Sequence, residues 1–290
     1  MREDLDTSST NRGFSRRDFV RASIGSGFAA TVLPVTAQTV IKTDSVGLLV
    51  GEVTIAAGDF KLPAYRAAPL DRVNPPVVLV VSEVFGVHEY IADVARRLAK
   101  QGYFAVAPEL FARQGDPGAY GEIDKLLSEV VAKVPDAQVM GDLDATMAWA
   151  AGQGADTSKL GITGFCWGGR IAWLYAAHNP GVKAAVAWYG RLTGPRTALN
   201  PAHPVDLAAK LQAPVLGLYG GQDSGIPLEA VDRMKAALAL GSDAAKRSSL
   251  FVYPDAPHAF HADYRNSYRE VAAGDAWQRC LAWLKTQGVV

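Results

Sequence analysis

The sequence predicts an α/β protein with a mostly parallel sheet that is covered by helices on both faces. Strand-like and helix-like segments alternate from about residue 45 to the end of the chain, which is the pattern of such sheets. The run Val77 to Val81 contains only aliphatic residues, as expected for a strand buried on both faces. No linker-like stretch divides residues 45–290. We therefore predict one domain over residues 38–290.

The elements can be assigned in order along the chain. Two short strands, 49–55 and 61–66, flank Ala57-Gly58-Asp59 and predict a hairpin. The later predicted strands are 77–81, 103–107, 160–163, 184–188, 214–219 and 250–253. The predicted helices are 89–101, 121–133, 136–151, 167–177, 228–240 and 275–286. Ligands bind at the carboxyl ends of strands in open sheets of this kind. Four loops are therefore candidate sites, those after Val81, Thr163, Tyr219 and Tyr253.

Residues 1–37 have the features of an export signal. The pair Arg16-Arg17 precedes a modest apolar stretch, 22–35, and the run Val35-Thr36-Ala37 is a candidate cleavage site. This order resembles a bacterial twin-arginine signal peptide, so we predict recognition by the twin-arginine export machinery and a periplasmic or secreted location. The apolar stretch is too short to span a membrane, so no stable membrane anchor is expected after signal removal.

Charge and cysteine content exclude several classes of partner. The formal net charge is +0 and the isoelectric point about 7.0, so no basic surface for nucleic acid is expected. The chain has two cysteines, Cys166 and Cys280, which cannot build a disulfide framework. Neither shows the spacing of a metal site, and no metal ion or organic cofactor is implied.

The segment Gly164-Phe165-Cys166-Trp167-Gly168-Gly169 lies between a predicted strand and a predicted helix. It has the form of a nucleophile elbow, with Cys where most such enzymes carry Ser. Side chains two positions before and after the nucleophile would collide on this tight turn, which explains the glycines. The positive end of the following helix should favour a thiolate and a developing oxyanion. The alternative is that Cys166 is a small core residue.

A histidine and an acid in the expected chain order complete a candidate triad. His258 follows strand 250–253, and His261 is a second candidate base. Asp223 follows strand 214–219, where a carboxylate can accept a hydrogen bond from an imidazole and fix its tautomer. Asp255 is a second candidate acid, and Asp223 could instead be only a turn residue.

Together these segments resemble the dienelactone hydrolase family, which has the α/β-hydrolase fold, over nearly all of residues 45–287. Two further segments share the resemblance, Ser82-Glu83-Val84-Phe85-Gly86-Val87-His88 and Pro108-Glu109-Leu110-Phe111-Ala112-Arg113-Gln114. The resemblance implies that Cys166 is the nucleophile, His258 the base and Asp223 the acid that orients the base. It also implies that Glu83 controls ionisation of the thiol and that Arg113 binds a substrate carboxylate. The backbone N–H groups of Val84 and Trp167 would form the oxyanion hole.

The resemblance implies a hydrolase that cleaves a small-molecule ester or lactone, as a carboxymethylenebutenolidase does, through a thioester acyl-enzyme. Dienelactone-cleaving members carry a second arginine four residues after the catalytic histidine, where this chain has Ala262, with His261 and Arg265 nearby. The substrate therefore stays open. One alternative is another hydrolytic reaction at the same site, such as aryl ester cleavage or dehalogenation. The other is a non-catalytic exported binding protein with this fold.

Overall fold

The structure, a computed structural model, describes residues 40–290. Its strands are β1 Leu48–Ala57, β2 Phe60–Pro69, β3 Pro76–Val81, β4 Phe104–Pro108, β5 Asp156–Phe165, β6 Val182–Trp188, β7 Val215–Gly220 and β8 Ser249–Tyr253. Its helices are α1 Glu89–Lys100, α2 Ile123–Glu129, α3 Asp136–Gly152, α4 Trp167–His178, α5 Leu228–Ala239, α6 Asp243–Arg247 and α7 Glu270–Thr286. Short 3₁₀ turns cover Pro117–Ala119, Val131–Lys133 and Pro204–Lys210.

The strands form one 8-stranded sheet in the order β1-β2-β4-β3-β5-β6-β7-β8. The hairpin β1–β2 is antiparallel and joins β4 in antiparallel fashion, while every later pairing is parallel. Every side chain of β3, β4 and β7 is buried. Because side chains alternate between the two faces of a strand, complete burial requires cover on both faces. The predicted α/β architecture, with a mostly parallel sheet and helices on both faces, is confirmed.

The position of β3 within the sheet places the site. The chain passes from β3 through α1 to β4 on one side, and later enters β5 on the other side of β3. Such a reversal of strand order opens a crevice at the carboxyl ends of the two central strands. Val81, at the end of β3, pairs with Gly164 near the end of β5. The loop after β3 and the elbow after β5 therefore leave the sheet side by side.

Several element bounds differ from the sequence prediction. The expected helix over 121–133 is split, because α2 ends at Glu129 and the next residue, Val130, has a φ of −117° that departs from helical geometry. Helix α7 begins at Glu270, ahead of the predicted residue 275. Helix α6 and the 3₁₀ turn Pro204–Lys210 were not predicted, since neither is long enough to show a helical period.

The predicted export signal, residues 1–37, lies outside the described residues. Within residues 40–290 the structure contains no helix that is both long and apolar enough to cross a membrane.

Candidate active site

Cys166 lies on a strained turn between β5 and α4. Its φ of 54° and ψ of −111° are unusual for a residue other than glycine, and such strain is concentrated at functional sites. A Cβ atom at Gly164 would lie 2.0 Å from the carbonyl oxygen of Gly168, and one at Gly168 would lie 2.4 Å from the carbonyl oxygen of Val81. Glycine is therefore sterically required on both sides of the cysteine. Both thiols, Cys166 and Cys280, are free, and Cys280 is buried.

Asp223 and His258 meet at the same edge of the sheet. Nδ1 of His258 donates to Oδ2 of Asp223 over 2.6 Å, and the carboxylate is buried. Oδ1 of Asp223 accepts from the backbone N–H groups of Gly225 and Ile226, at 2.9 and 3.2 Å. Asp223 is thus a turn residue and a histidine partner at once. The other candidate acid, Asp255, is exposed to solvent.

The imidazole of His258 holds its proton strongly. Burial opposes the charged ring, but hydrogen bonds to Asp223 and Cys166, together with the charges of both groups, raise its pKa to about 10. The structure therefore joins His258 to Asp223 by a hydrogen bond and places the imidazole close enough to Cys166 for the two groups to interact. That arrangement favours a protonated imidazole at neutral pH.

His261, the other candidate base, lies in the core. Its ring contacts those of Trp188 and Phe165, with centroids 4.4 and 5.4 Å away. Its Nδ1 forms a 2.6 Å hydrogen bond with the hydroxyl of Tyr90. Burial, followed by the charge of Arg97, holds its pKa well below the usual value, so the ring is neutral.

Glu83 is a buried carboxyl group at the start of the loop after β3. Its Oε2 accepts a hydrogen bond of 2.5 Å from the hydroxyl of Tyr264, and its Oε1 has no hydrogen-bond partner among the described residues. Burial raises the pKa of Glu83, while the Tyr264 hydroxyl and the charges of Arg265 and His258 act in the opposite direction. Tyr264 was not among the residues predicted from the sequence.

The two backbone N–H groups expected to form the oxyanion hole lie on adjoining segments. Trp167 is the first residue of α4, so its N–H has no acceptor within the helix. Val84 follows Glu83 in the loop after β3. The carbonyl groups of Val81 and Ser82 lie directly against Gly168, within 2.6 Å of where its Cβ would be. This contact holds the loop against the first turn of α4.

Arg113 is already engaged by protein groups. Its guanidinium forms an ion pair with Asp142 of α3, donates to the carbonyl of Ala57 over 3.2 Å, and lies 4.3 Å from the ring centroid of Phe60. Asp142, a partner that the sequence did not reveal, is 3% exposed. A substrate carboxylate that used Arg113 would have to share the guanidinium with Asp142.

Arg265 lies over the Phe85 ring at 5.6 Å, and its charge partly opposes the burial that raises the pKa of Glu83. It stands three residues beyond Ala262, the position of the missing second arginine. Among residues 40–290, no group of His, Cys, Asp and Glu side chains could hold a metal ion.

Comparison with known proteins decides the family. The model of the dienelactone hydrolase family matches residues 62–288. The chain belongs to the dienelactone hydrolase family. A relative from Methylorubrum extorquens, provisionally named a carboxymethylenebutenolidase, is 58% identical over 287 residues, which are 99% of this chain and 98% of that protein. A relative of the same provisional name from Escherichia coli K12 is 53% identical over 264 residues, 91% of this chain and 96% of that protein.

A solved structure agrees with this assignment. The crystal structure of a protein from Klebsiella pneumoniae, provisionally described as a dienelactone hydrolase, is similar with a TM-score of 0.80 at 54% identity. The match covers 82% of this chain and 98% of that chain. The chain is thus a dienelactone hydrolase-like enzyme, a carboxylic ester hydrolase, and the predicted α/β-hydrolase fold is confirmed.

Proposed function

We propose that this enzyme hydrolyses an ester or lactone of a small molecule by acyl transfer through Cys166. The observation that carries the proposal is the hydrogen bond between Asp223 and His258, beside a Cys166 thiol on a strained elbow at the start of α4. A nucleophile, a base and a group that orients the base are the parts that such chemistry needs. The provisional names of the relatives, carboxymethylenebutenolidases, point to a lactone.

The reaction begins with a proton on His258 and a thiolate on Cys166. The thiolate attacks the substrate carbonyl, and the N–H groups of Val84 and Trp167 stabilise the negative oxygen of the tetrahedral adduct. The adduct collapses as His258 gives its proton to the leaving alkoxide or enolate, which leaves a thioester on Cys166. His258 then takes a proton from water, the hydroxide releases the acid, and the thiolate–imidazolium pair is restored.

The nucleophile also restricts the substrate. A thiolate is itself a good leaving group, so its adduct expels a basic alkoxide less readily than a serine adduct does. Activated esters, enol lactones and thioesters are therefore better candidates than plain alkyl esters. Glu83 would control ionisation of the Cys166–His258 pair, because its negative charge and the imidazolium attract each other. Arg113 would bind a substrate carboxylate, in competition with Asp142.

The location belongs to the same proposal. Residues 1–37 would be a twin-arginine signal peptide, and residues 38–290 one domain that the export machinery carries to the periplasm or the cell exterior. This support comes from the sequence alone.

The test is hydrolysis of a panel of enol lactones, aryl esters, alkyl esters and haloacids by wild type, Cys166→Ala and Cys280→Ala. We expect turnover of enol lactones or activated esters by wild type and Cys280→Ala, and none by Cys166→Ala. Cys280→Ala is a matched control, since its thiol is buried. Equal turnover by Cys166→Ala and wild type would refute the nucleophile. Turnover of haloacids alone would indicate a dehalogenase, and no turnover of any compound would favour the binding protein.

A further inference from the structure

The carboxyl group of Glu83 has lost nearly all contact with water. Its side chain is 1% exposed, and one oxygen, Oε1, has no hydrogen-bond partner among the described residues. A buried carboxylate is stable only if protein groups replace its hydration. Of the side chains in the described part of the chain, Tyr264 is the one that donates a hydrogen bond to it, to Oε2 over 2.5 Å.

The other groups around Glu83 are ionisable but interact through charge or at longer distance. Nε2 of His88 lies 4.0 Å from Oε2. Arg265 and His258 favour the carboxylate by their charges. The buried phenols of Tyr90 and Tyr189 have pKa values raised first by burial, and Glu83 adds to the rise, so both are neutral and cannot replace a charged partner.

The loop around Tyr264 is fixed on both sides. Asp263, the residue before it, accepts from Arg97 over 2.8 Å and from the backbone N–H of Ile41 over 3.1 Å. Arg265, the residue after it, donates its backbone N–H to the carbonyl of Ala262 over 3.0 Å. The same loop begins with His258. A hydroxyl on this loop therefore reaches Glu83 at a set place beside the base.

We propose that Tyr264 is a positioning residue for Glu83, whose carboxyl group it holds in place and ionised beside the Cys166–His258 pair. The inference rests on the proposed function, in which the charge of Glu83 favours the imidazolium. A hydrogen bond to the charged form of a carboxyl group counteracts the effect of burial on its pKa. Without the hydroxyl, Glu83 would take up a proton at a higher pH than in the wild type. The imidazolium of the thiolate–imidazolium pair would then lose the stabilising charge of Glu83.

The experiment compares Tyr264→Phe with Tyr253→Phe in the full chain. Tyr253 also donates to a carboxylate, that of Asp275, over 2.7 Å, and the charged groups that act on its hydroxyl are Asp275 and Arg279 and not Glu83, so its loss is a matched control. The measurement is the rate at which iodoacetamide alkylates Cys166 between pH 4 and pH 9, alongside kcat/KM for ester hydrolysis. Cys280 does not interfere, because burial raises its pKa to about 12.

Tyr264→Phe is expected to move the acid limb of both profiles upward by about 1–2 pH units, the size of a lost hydrogen bond to a charged group. Tyr253→Phe should leave both profiles where they are. Glu83→Gln should remove this limb, and adding Tyr264→Phe to Glu83→Gln should change nothing further. A fluorotyrosine at position 264 keeps the shape and donates more strongly, so it should move the limb downward even if the phenylalanine variant does not fold.

Profiles of Tyr264→Phe and of the fluorotyrosine variant that coincide with wild type would overturn the proposal. So would a shift that persists in the Glu83→Gln background. These outcomes differ from failure of the proposed function, which would appear as no ester hydrolysis by wild type while Cys166 is still alkylated.

Discussion

Burial opposes the charged form of His258, but the hydrogen bond to Asp223 and the interaction with Cys166 outweigh it and raise the pKa of the ring to about 10. Since this value lies above the usual 6.5, the protonated ring favours the folded state at pH values below about 6.5, and the contribution disappears as the pH rises through about 10. In the proposed reaction, His258 gives the same proton to the leaving group. The active form should therefore extend into alkaline solution.

We predict that Asp223→Asn lowers kcat/KM by about 100- to 10,000-fold and moves the alkaline limb of its pH profile below the wild-type position near pH 10. The amide keeps the shape of the carboxylate but withdraws the charge that stabilises the imidazolium. Asp255→Asn is the matched control, because Asp255 is the exposed candidate acid on the same sheet edge. An unchanged alkaline limb in Asp223→Asn would show that another group orients His258.

In the proposed function, Arg113 decides whether the substrate carries a carboxylate. We predict that Arg113→Ala lowers kcat/KM for a carboxylate-bearing ester by about tenfold and leaves that of a neutral ester unchanged. The loss is small because Asp142 already shares the guanidinium. Steady-state kinetics on both esters measure the difference.

Arg279→Ala is the control for Arg113. Arg279, on α7, pairs with Asp275 over 2.6 Å and lies 3.8 Å from the ring centroid of Phe251. Arg279→Ala therefore removes an ion pair and a ring contact, as Arg113→Ala does. Equal losses for the acidic and the neutral ester in Arg113→Ala would mean that this arginine does not select the carboxylate.

At the level of elements, the strands and helices with a clear pattern of buried apolar residues were the ones that the sequence predicted. The central strands were predicted because their unbroken aliphatic runs match strands covered on both faces, as in β3. The hairpin was predicted from its turn, and β1 and β2 continue in register as far as Ala57 and Phe60. Helix α6 was not predicted from the sequence, because Asp243–Arg247 has no periodic apolar face. It is stabilised instead by the cap residue Ser242 and by neighbouring contacts.

The close contact between α4 and the loop after β3 should contribute to the stability of the folded protein. Gly168→Ala should lower the free energy of unfolding by roughly 1–3 kcal/mol or more, because the new Cβ would meet the carbonyl oxygens of Val81 and Ser82 at 2.4 and 2.6 Å. Gly141→Ala, in α3, is the matched control. Its Cβ would meet no atom within 4 Å, so the helix should gain about 0.5–1 kcal/mol. Urea unfolding midpoints measure both, and similar shifts for the two variants would contradict the packing argument.

At the scale of the whole molecule, the sequence predicted which motif-bearing residues lie together, because each of them follows a strand. It did not predict side-chain contacts with residues that belong to no motif. The elbow, Asp223 and His258 each follow a strand, so their meeting at one sheet edge could be expected from the fold. The contact of Tyr264 with Glu83 joins residues 181 positions apart, and no spacing encodes it. For the same reason Asp142 was not expected beside Arg113, 29 positions away.

The last prediction concerns residues 1–37, whose proposed role can be tested on the whole chain in a bacterial host. Replacement of both Arg16 and Arg17 by lysine keeps the positive charge but removes the planar guanidinium groups. A receptor that binds the guanidinium groups by their planar set of hydrogen-bond donors would not bind lysine in the same way. If the twin-arginine machinery recognises this segment, the double variant should accumulate as the uncleaved precursor in the cytoplasm. Fractionation followed by mass spectrometry distinguishes the precursor from a mature form that begins near Gln38.

Arg12→Lys is the control for this experiment, since it makes the same substitution outside the paired arginines. It should be processed and exported like wild type. The precursor that is retained by the double variant should still hydrolyse esters in the cytoplasm, because the site lies wholly within residues 40–290 and this export route carries proteins already folded. Unchanged processing of the double variant would place the export assignment in error while leaving the enzymatic assignment intact, since the two rest on separate parts of the chain.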